Sequence, residues 1–159
     1  MHEDKIKIAV FPGSFDPFTI GHESVVRRAL DMFDRVIVAI GFNSTKSRFI
    51  PVESSADSIR KVFEDTGGRV EVMVFTGLTV DLCRKLNSRY ILRGLRTAAD
   101  FEYERAIAQT NKAMYPEIET VFLLTIPDHT HINSSIIREI IKQGGDASQF
   151  VPKNYKLDV

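Results

Sequence analysis

Short apolar runs alternate along the chain with stretches whose apolar residues recur at helical spacing. The apolar runs, rich in Val, Ile and Phe, are typical of buried strands and cover residues 6–11, 36–42, 70–75, 90–92 and 120–124. Helical spacing covers residues 22–33, 52–65, 79–86, 100–114 and 134–142, and the last helix is expected to stop at Gly144 and Gly145. This alternation predicts an α/β fold with a doubly wound, five-stranded parallel sheet and right-handed crossovers.

Length and composition indicate a single domain, residues 1–159, with 43% hydrophobic residues to build its core. We find no linker or internal repeat. Residues 146–159 carry few apolar residues to dock them, so we expect a short helical appendage whose last residues fray.

Charge and hydropathy exclude several classes of protein. Lys plus Arg and Asp plus Glu both total 21, and this zero net charge argues against a nucleic-acid binder. The apolar runs are too short to cross a bilayer, and the first residues lack the apolar core of a signal peptide. The lone Cys83 excludes an internal disulfide and is expected to be buried and inert. We therefore expect a cytoplasmic protein without a membrane partner.

The junction between the first strand and the first helix has the chemistry of an anion site. The buried strand leads into Gly13 and Ser14, and His22 falls in the first turn of the helix that follows. Gly13 permits close approach of the backbone, Ser14 offers a hydroxyl, and a helix N-terminus presents unpaired amides and partial positive charge. An imidazole facing such a site predicts catalysis. The residues alone leave open an ordinary turn with a surface histidine.

Polar residues follow the other predicted strands as well. Ligands of a doubly wound sheet bind outside the carboxyl ends of its strands, where the strand order reverses. At three of these carboxyl ends, basic side chains stand together with Gly or Ser directly after the strand. This combination favours a small polyanionic molecule as the ligand. The G-x-G-x-x-G fingerprint is absent, and residues 41–47 only imitate a P-loop because the second glycine is missing.

Two further groups of residues have simpler explanations at this level. His129 and His131 could suggest a metal pair, but the chain has four His and one Cys and no spaced acidic partner, so we predict no protein metal site. Glu102 and Glu104, taken on their own, favour a solvated helix face.

Several segments resemble one enzyme family. Residues 19–22, T-I-G-H, resemble the T/H-x-G-H signature of the nucleotidylyltransferase superfamily. R-G-L-R over residues 93–96, D-F-E-Y-E over 100–104 and I-N-S-S over 132–135 are similar to the bacterial phosphopantetheine adenylyltransferases, and the likeness runs from about residue 8 to residue 152. The resemblance implies a Rossmann-like nucleotidylyltransferase fold.

The resemblance also implies an activity. AMP would be transferred from ATP to 4′-phosphopantetheine, with Mg²⁺, giving 3′-dephospho-coenzyme A and pyrophosphate in coenzyme A biosynthesis. Members of the family are typically homohexamers, arranged as a dimer of trimers, and can bind coenzyme A as a feedback ligand.

By the same resemblance, His22 would stabilise the transition state. ATP would be bound by residues at three strand ends: Ser14, Phe15, His22, Gly94, Leu95, Arg96, Glu104, His129, Thr130, His131, Ile132, Asn133, Ser134 and Ser135. Phosphopantetheine would be bound by Ser14, Lys46, Thr79 and Arg93. The chain departs from the family pattern at three positions: Ser14 replaces a common Thr, Asn133 replaces the first Ser of a Ser run, and His129 replaces an aromatic residue.

The proposed chemistry needs charge neutralisation more than it needs a base. A phosphate monoester, with a second pKa of about 6, is already largely ionised at neutral pH. Two unit negative charges about 4 Å apart repel by roughly 4 kcal/mol at an effective dielectric near 20. Lys46 and Arg93 would offset this repulsion on phosphopantetheine, and Arg96 with Mg²⁺ would do so on ATP. His22 would then donate a hydrogen bond to an α-phosphate oxygen.

Three alternatives stay open. The chain could be another adenylyl- or cytidylyltransferase of the superfamily, for example one acting on nicotinamide mononucleotide. It could be a non-catalytic nucleotide sensor, although the full set of charged residues argues against this. A flavodoxin-like cofactor carrier is compatible with the fold, since fold alone does not determine function.

Overall fold

Strands and helices alternate along residues 5–157, the part of the chain that this computed structural model describes. The strands are β1 (Ile8–Gly13), β2 (Arg35–Gly41), β3 (Val70–Phe75), β4 (Tyr90–Leu95) and β5 (Glu119–Leu124). The helices are α1 (Ile20–Ala29), α2 (Val52–Val62), α3 (Thr79–Lys85), α4 (Ala98–Met114) and α5 (Ser134–Lys142). Among the helices of these residues, none has the length and apolar character needed to cross a bilayer.

The strands form one parallel sheet in the order β3-β2-β1-β4-β5. From the central strand β1 the chain builds outward to β2 and β3, and then returns to add β4 and β5 on the other side. The strand order therefore reverses between β1 and β4, where a doubly wound sheet binds its ligands. The predicted α/β class and the five-stranded parallel sheet are confirmed.

Both faces of the central strands are buried, which explains their nearly continuous apolar sequence. In β1, Phe11 packs with the helices α1 and α2, and its neighbour Val10 packs on the opposite face. That opposite face is closed by Val80 and Cys83 of α3 and by Ile118. The two-residue alternation along β1 therefore fills two separate layers of core.

The ends of several elements differ from the prediction. Ile6 is 63% exposed and precedes β1, which begins at Ile8. Strand β4 continues past residue 92, because its parallel pairing with β5 extends to Leu95. Arg93 and Gly94 therefore lie in the strand and not in a loop after it. Helix α2 ends at Val62 and is followed by a separate 3₁₀ turn, Glu64–Thr66.

The C-terminal segment, residues 146–157, is not the helical appendage that we expected for residues 146–159. Its regular structure is one 3₁₀ turn, Ser148–Phe150, and Pro152 follows within two residues of that turn. Val151 and Tyr155 are each only 6% exposed and belong to the same core as α1 and α2. Ala147 and Pro152 are buried as well, so scattered side chains dock the segment without a regular helix. The expected fraying concerns residues 158–159, which lie outside the described residues.

We predict that Cys83 does not react in the native protein. The side chain is fully buried, and desolvation raises the pKa of its thiol to about 12. At pH 8 the thiolate is then about a thousandfold scarcer than for a thiol with its usual pKa. Ellman's reagent should detect no thiol in the folded protein and one per chain in denaturant. Rapid reaction of one equivalent without denaturant would contradict this packing.

Candidate active site

A cavity of about 760 Å³ opens at the carboxyl ends of β1 and β4, where the strand order reverses. Its lining comes from β1, α1, β4, α4 and the segment that leads into α5. Most of the predicted site residues line it: Ser14, Phe15, His22, Arg93, Gly94, Arg96, Glu104, His129, Ile132, Asn133, Ser134 and Ser135. Residues from both halves of the sheet therefore meet in one hollow.

The remaining predicted site residues lie elsewhere. Thr79 lines a second cavity of about 300 Å³, which shares Pro12, Gly13, Arg93, Tyr103 and Glu104 with the first. Lys46 is exposed on the loop after β2 and lines neither of these cavities. The same is true of Leu95, Thr130 and His131. The structure thus gathers His22, Arg93 and Arg96, and leaves Lys46 outside the group.

His22 is held by a reciprocal cap at the start of α1. The backbone N–H of His22 donates to the Thr19 hydroxyl at 3.2 Å, and the backbone N–H of Thr19 donates to Nδ1 of His22 at 3.0 Å. The imidazole takes the part that Glu or Gln has in an ordinary capping box. Because Nδ1 accepts a hydrogen bond, a neutral ring must carry its proton on Nε2.

The surroundings of His22 keep its ring neutral. Its pKa is lowered to about 3, first by desolvation and then by the positive charges of Arg93 and Arg96. The rings of Phe15 and Phe18 lie 5.0 and 5.3 Å from the imidazole, centroid to centroid. Above about pH 3 the side chain is therefore an Nε2–H donor and not a cation.

The β1–α1 loop, residues 14–19, has its backbone oxygens engaged by side chains from distant elements. The donors come from β4, the loop after β2, and α5. Four bonds hold the oxygens of the loop and of the strand residue Pro12: Arg93 to Pro12, Arg48 to Ser14 at 2.7 Å, Arg138 to Asp16 at 2.7 Å, and Ser134 to Pro17 at 2.8 Å. These donors offset the negative ends of the carbonyl dipoles, so the loop can border an anion.

Gly13 is required by this loop's own side chain. A Cβ on Gly13 would lie 2.9 Å from Cζ of Phe15, closer than real Cβ atoms approach another heavy atom. The sequence predicted that Gly13 makes room for a ligand. In the structure, the space beside its Cα is taken by the Phe15 ring, which lies between Gly13 and His22.

Arg93 and Glu104 form a two-pronged ion pair between the two cavities. Nε and Nη2 of Arg93 donate to the two carboxylate oxygens at 2.9 and 2.6 Å. Glu104 is the buried residue of α4 and is only 8% exposed, so its assignment to a solvated helix face is wrong. That assignment does hold for Glu102, which pairs with Arg105 on the surface.

Arg96 is held at the edge of the same cavity. Its Nη1 donates to the backbone oxygen of Ile132 at 3.1 Å, and its Nε lies 3.3 Å from the carboxylate of Asp100. The guanidinium therefore links β4 to the segment before α5. Its pairing with Asp100 also ties it to the first turn of α4.

Two of the three departures from the family pattern have visible consequences. The Asn133 side chain accepts from the backbone N–H of Ile136 at 2.9 Å and is the N-cap of α5. Nδ1 of His129 is buried and has no hydrogen-bond partner within residues 5–157. Ser14 is exposed at the cavity, with its hydroxyl side available to a ligand.

The sequence did not identify Arg138 or Asp16 as site residues. Both carboxylate oxygens of Asp16 accept backbone N–H groups, from Phe49 and Ile50, at 2.8 Å each. This fastens the loop after β2 to the β1–α1 loop. Arg138 could have been found from the sequence, because it lies four residues after Ser134 and the two residues therefore share one face of α5.

Comparison with known proteins agrees with this geometry. A family model described as cytidylyltransferase-like matches residues 10–140. Phosphopantetheine adenylyltransferase of Cytophaga hutchinsonii is 49% identical over 151 residues, covering 95% of this chain and 99% of that protein. The protein of the same name from Flavobacterium psychrophilum is 48% identical over 149 residues, covering 94% and 97%.

A solved structure has the same fold. The bifunctional NMN adenylyltransferase/ADP ribose pyrophosphatase of Francisella tularensis superposes with a TM-score of 0.71 at 18% identity, over 94% of this chain and 46% of that one. Such low identity supports the fold alone. Identities of 48 and 49% over nearly the whole length, together with the family model, establish that the chain belongs to the phosphopantetheine adenylyltransferase family of cytidylyltransferase-like proteins.

Proposed function

We propose that this chain transfers AMP from ATP to 4′-phosphopantetheine, giving 3′-dephospho-coenzyme A and pyrophosphate in coenzyme A biosynthesis. The relatives' names support the choice of reaction. The observation that carries the mechanism is a neutral imidazole that lines one cavity together with two guanidinium groups: His22 with Arg93 and Arg96. These groups suit the joining of two anions, which needs positioning and charge stabilisation.

The nucleophile needs no base, since a phosphate monoester is largely ionised at neutral pH. The obstacle is the repulsion between its charges and those of the triphosphate. Arg93 is placed to offset this repulsion on the phosphopantetheine side and Arg96 on the ATP side. Each is already oriented by a carboxylate, so little side-chain freedom is lost when a substrate binds.

His22 would act on the transition state by donating from Nε2 to an α-phosphate oxygen as the phosphate is attacked in line. A neutral donor suits this role, because it places a proton where negative charge grows without needing to gain or lose one. Its backbone cap fixes the ring before the substrate arrives.

The two cavities offer separate space for the two substrates. The larger one contains His22, Arg96 and the start of α5, and we assign it to ATP. The smaller one is lined by Thr79 and by apolar side chains such as Phe75 and Ile107, which suits the uncharged arm of phosphopantetheine. The Arg93–Glu104 pair lies where the two meet.

Lys46, Leu95, Thr130 and His131 remain proposals. The long side chain of Lys46 lies on an exposed loop that Asp16 fastens to the β1–α1 loop. We propose that this loop brings its ammonium group to the phosphopantetheine phosphate.

We assign Mg²⁺ to the substrate, as the complex with ATP. The two carboxylates that line the larger cavity, Asp100 and Glu104, are each paired with an arginine. Because Mg²⁺ is usually held by one or two carboxylates together with waters and substrate phosphates, these residues do not form a ready protein site. No step described above depends on a bond between protein and metal.

We further propose a homohexamer in the cytoplasm, with coenzyme A as a feedback ligand. Support for self-association comes from large apolar side chains that are exposed on α4 and β5: Phe101, Tyr103, Ile107, Met114 and Leu124. Their exposure ranges from 40% for Phe101 and Ile107 to 70% for Tyr103. Tyr103 and Ile107 also line the substrate cavities, so Phe101, Met114 and Leu124 are the exposed apolar side chains that best suit a protein–protein interface.

The substrate assignment predicts that the enzyme prefers 4′-phosphopantetheine to a mononucleotide as the acceptor of AMP. Purified protein with Mg²⁺ and ATP should release pyrophosphate rapidly with 4′-phosphopantetheine. With nicotinamide mononucleotide or nicotinate mononucleotide we expect at least about a hundredfold lower kcat/KM, since the apolar side chains of the smaller cavity, such as Phe75, Ile91 and Ile107, suit an uncharged arm better than a nucleotide. Faster turnover with either mononucleotide would reassign the enzyme within the superfamily.

Replacement of His22 should affect turnover and not its pH dependence. We expect His22→Ala to lower kcat by about 10²–10³, with the Kd of ATP within a few-fold of its original value, because the lost donor acts mainly in the transition state. The acid limb of kcat/KM should persist near pH 6 in the variant, since it belongs to the phosphate nucleophile and His22 is neutral above about pH 3. Loss of that limb in His22→Ala would show that the imidazole accepts a proton.

Replacement of Arg93 should weaken binding of phosphopantetheine more than that of ATP. Arg93→Ala alone would leave Glu104 buried and unpaired, at a cost of about 3–5 kcal/mol. The double variant Arg93→Met, Glu104→Gln avoids this charge, and calorimetry should show at least about a tenfold rise in the Kd of phosphopantetheine. Arg60→Met, which removes a surface partner of Asp57, is the control. Glu104→Gln alone shows how much of any change in ATP binding comes from the lost carboxylate. If the double variant weakens ATP binding well beyond that and leaves phosphopantetheine binding intact, the assignment of the two substrate sites must be exchanged.

A further inference from the structure

The C-terminal segment reaches the active site through a buried hydroxyl. The phenol oxygen of Tyr155 lies 2.8 Å from Oγ of Ser55 on α2, a residue with no exposed surface. The Ser55 hydroxyl in turn donates to the backbone oxygen of Phe15 at 3.3 Å. Because Ser55 uses its single proton for that bond, the proton between the two hydroxyls must come from Tyr155.

In this relay, the chain of hydrogen bonds from Tyr155 through Ser55 to Phe15, the donors and acceptors are the same at every pH used in an assay. Burial raises the pKa of Tyr155, so its phenol stays protonated and remains a donor. The relay therefore runs from the Tyr155 hydroxyl to the Ser55 hydroxyl and ends on the Phe15 carbonyl.

Phe15 is the residue of the β1–α1 loop that most needs external support. Its φ is +44°, in the left-handed region that bulky side chains rarely adopt. Such a conformation costs of order 1–3 kcal/mol and persists only where the surroundings enforce it. The carbonyls of Ser14 and Asp16, on either side, are held by Arg48 and Arg138, and the Phe15 carbonyl is held by Ser55.

The Phe15 ring supports His22 from the side, in addition to the cap from Thr19. The Phe15 ring stands edge-on to the imidazole, with centroids 5.0 Å apart and planes at 86°. On its other side it fills the space beside Gly13. A rotation of the Phe15 backbone would withdraw this ring and leave the imidazole without one of its aromatic neighbours.

We propose that Tyr155 and Ser55 are positioning residues for His22, acting through the backbone of Phe15. They touch no substrate, and their effect on turnover rests on the function proposed above. The C-terminal segment is accordingly part of the catalytic support and not only of the core.

The test compares two tyrosines that differ in location but lose the same group. Tyr155→Phe keeps the ring and removes the hydroxyl. Tyr115→Phe is the matched control, because the Tyr115 hydroxyl also donates to one side chain, Asp81, at 2.8 Å, on the opposite face of the sheet. We expect Tyr155→Phe to lower kcat about three- to tenfold with little change in the KM of ATP, and Tyr115→Phe to leave kcat unchanged. Similar small losses in Tm are expected for both.

A double-mutant cycle then tests the route. Ser55→Ala should lower kcat about as much as Tyr155→Phe, and the double variant should be no worse than Ser55→Ala alone. Additive losses, an unchanged kcat in Tyr155→Phe, or equal losses in the two tyrosine variants would each overturn the proposal.

A readout independent of turnover separates this proposal from the proposed reaction. The ¹⁵N resonances of the His22 ring in the ligand-free protein should shift in Tyr155→Phe and stay in place in Tyr115→Phe. If they shift as expected while the wild-type protein has no activity with phosphopantetheine, the proposed reaction fails and the positioning role stands. If the ring resonances of His22 are unchanged in Tyr155→Phe, the positioning role is wrong, whether or not the protein is active with phosphopantetheine.

Discussion

The site depends on how the β1–α1 loop holds its backbone oxygens. Most loops of this length would turn some carbonyls toward solvent, and at the end of a strand that borders an anion site those oxygens would repel the ligand. Here guanidinium and hydroxyl donors engage the carbonyls from Pro12 to Pro17, with Gly13 as the exception. The donors come from parts of the chain far apart in sequence, so the loop adopts its conformation only when the whole sheet has assembled.

The same cations that suit an anion also determine the state of His22. Positive charge from Arg93 and Arg96 adds to desolvation in lowering the pKa of the imidazole. A histidine exposed to water would be partly charged near pH 6.5 and would add one more cation to the site. In this position it is a neutral donor over the whole working range. Unfolding returns His22 to its ordinary pKa, so the stability that its neutral ring contributes is lost as pH falls from about 6.5 toward 3.

The sequence predicted the elements of the fold that are marked by a regular pattern of apolar residues. Strands β3 and β5 and helix α5 were located because the strands are short apolar runs and the apolar residues of the helix recur at helical spacing. The end of β4 was missed because Arg93 and Gly94 are not apolar, and pairing with β5, a long-range interaction, extends the strand through them. The C-terminal segment was misjudged for a related reason, since its buried side chains, among them Ala147, Val151 and Tyr155, do not recur at a regular spacing. Resemblance to a family supplied the grouping of His22 with Arg93 and Arg96. Local sequence pattern could not show that Lys46 lies outside the cavity that these three residues line.

Burial of Glu104 shows why a site for anions contains a carboxylate. An isolated Arg93 between two cavities would be free to turn into either, and a free guanidinium loses much side-chain entropy when it is ordered. The bidentate pair fixes its plane and leaves Nη1 to hold the Pro12 carbonyl. The carboxylate weakens the attraction for phosphate, and it also separates the space for one substrate from the space for the other. Because the reaction needs two anions at a defined separation, a fixed cation of reduced strength serves it better than a stronger cation that moves.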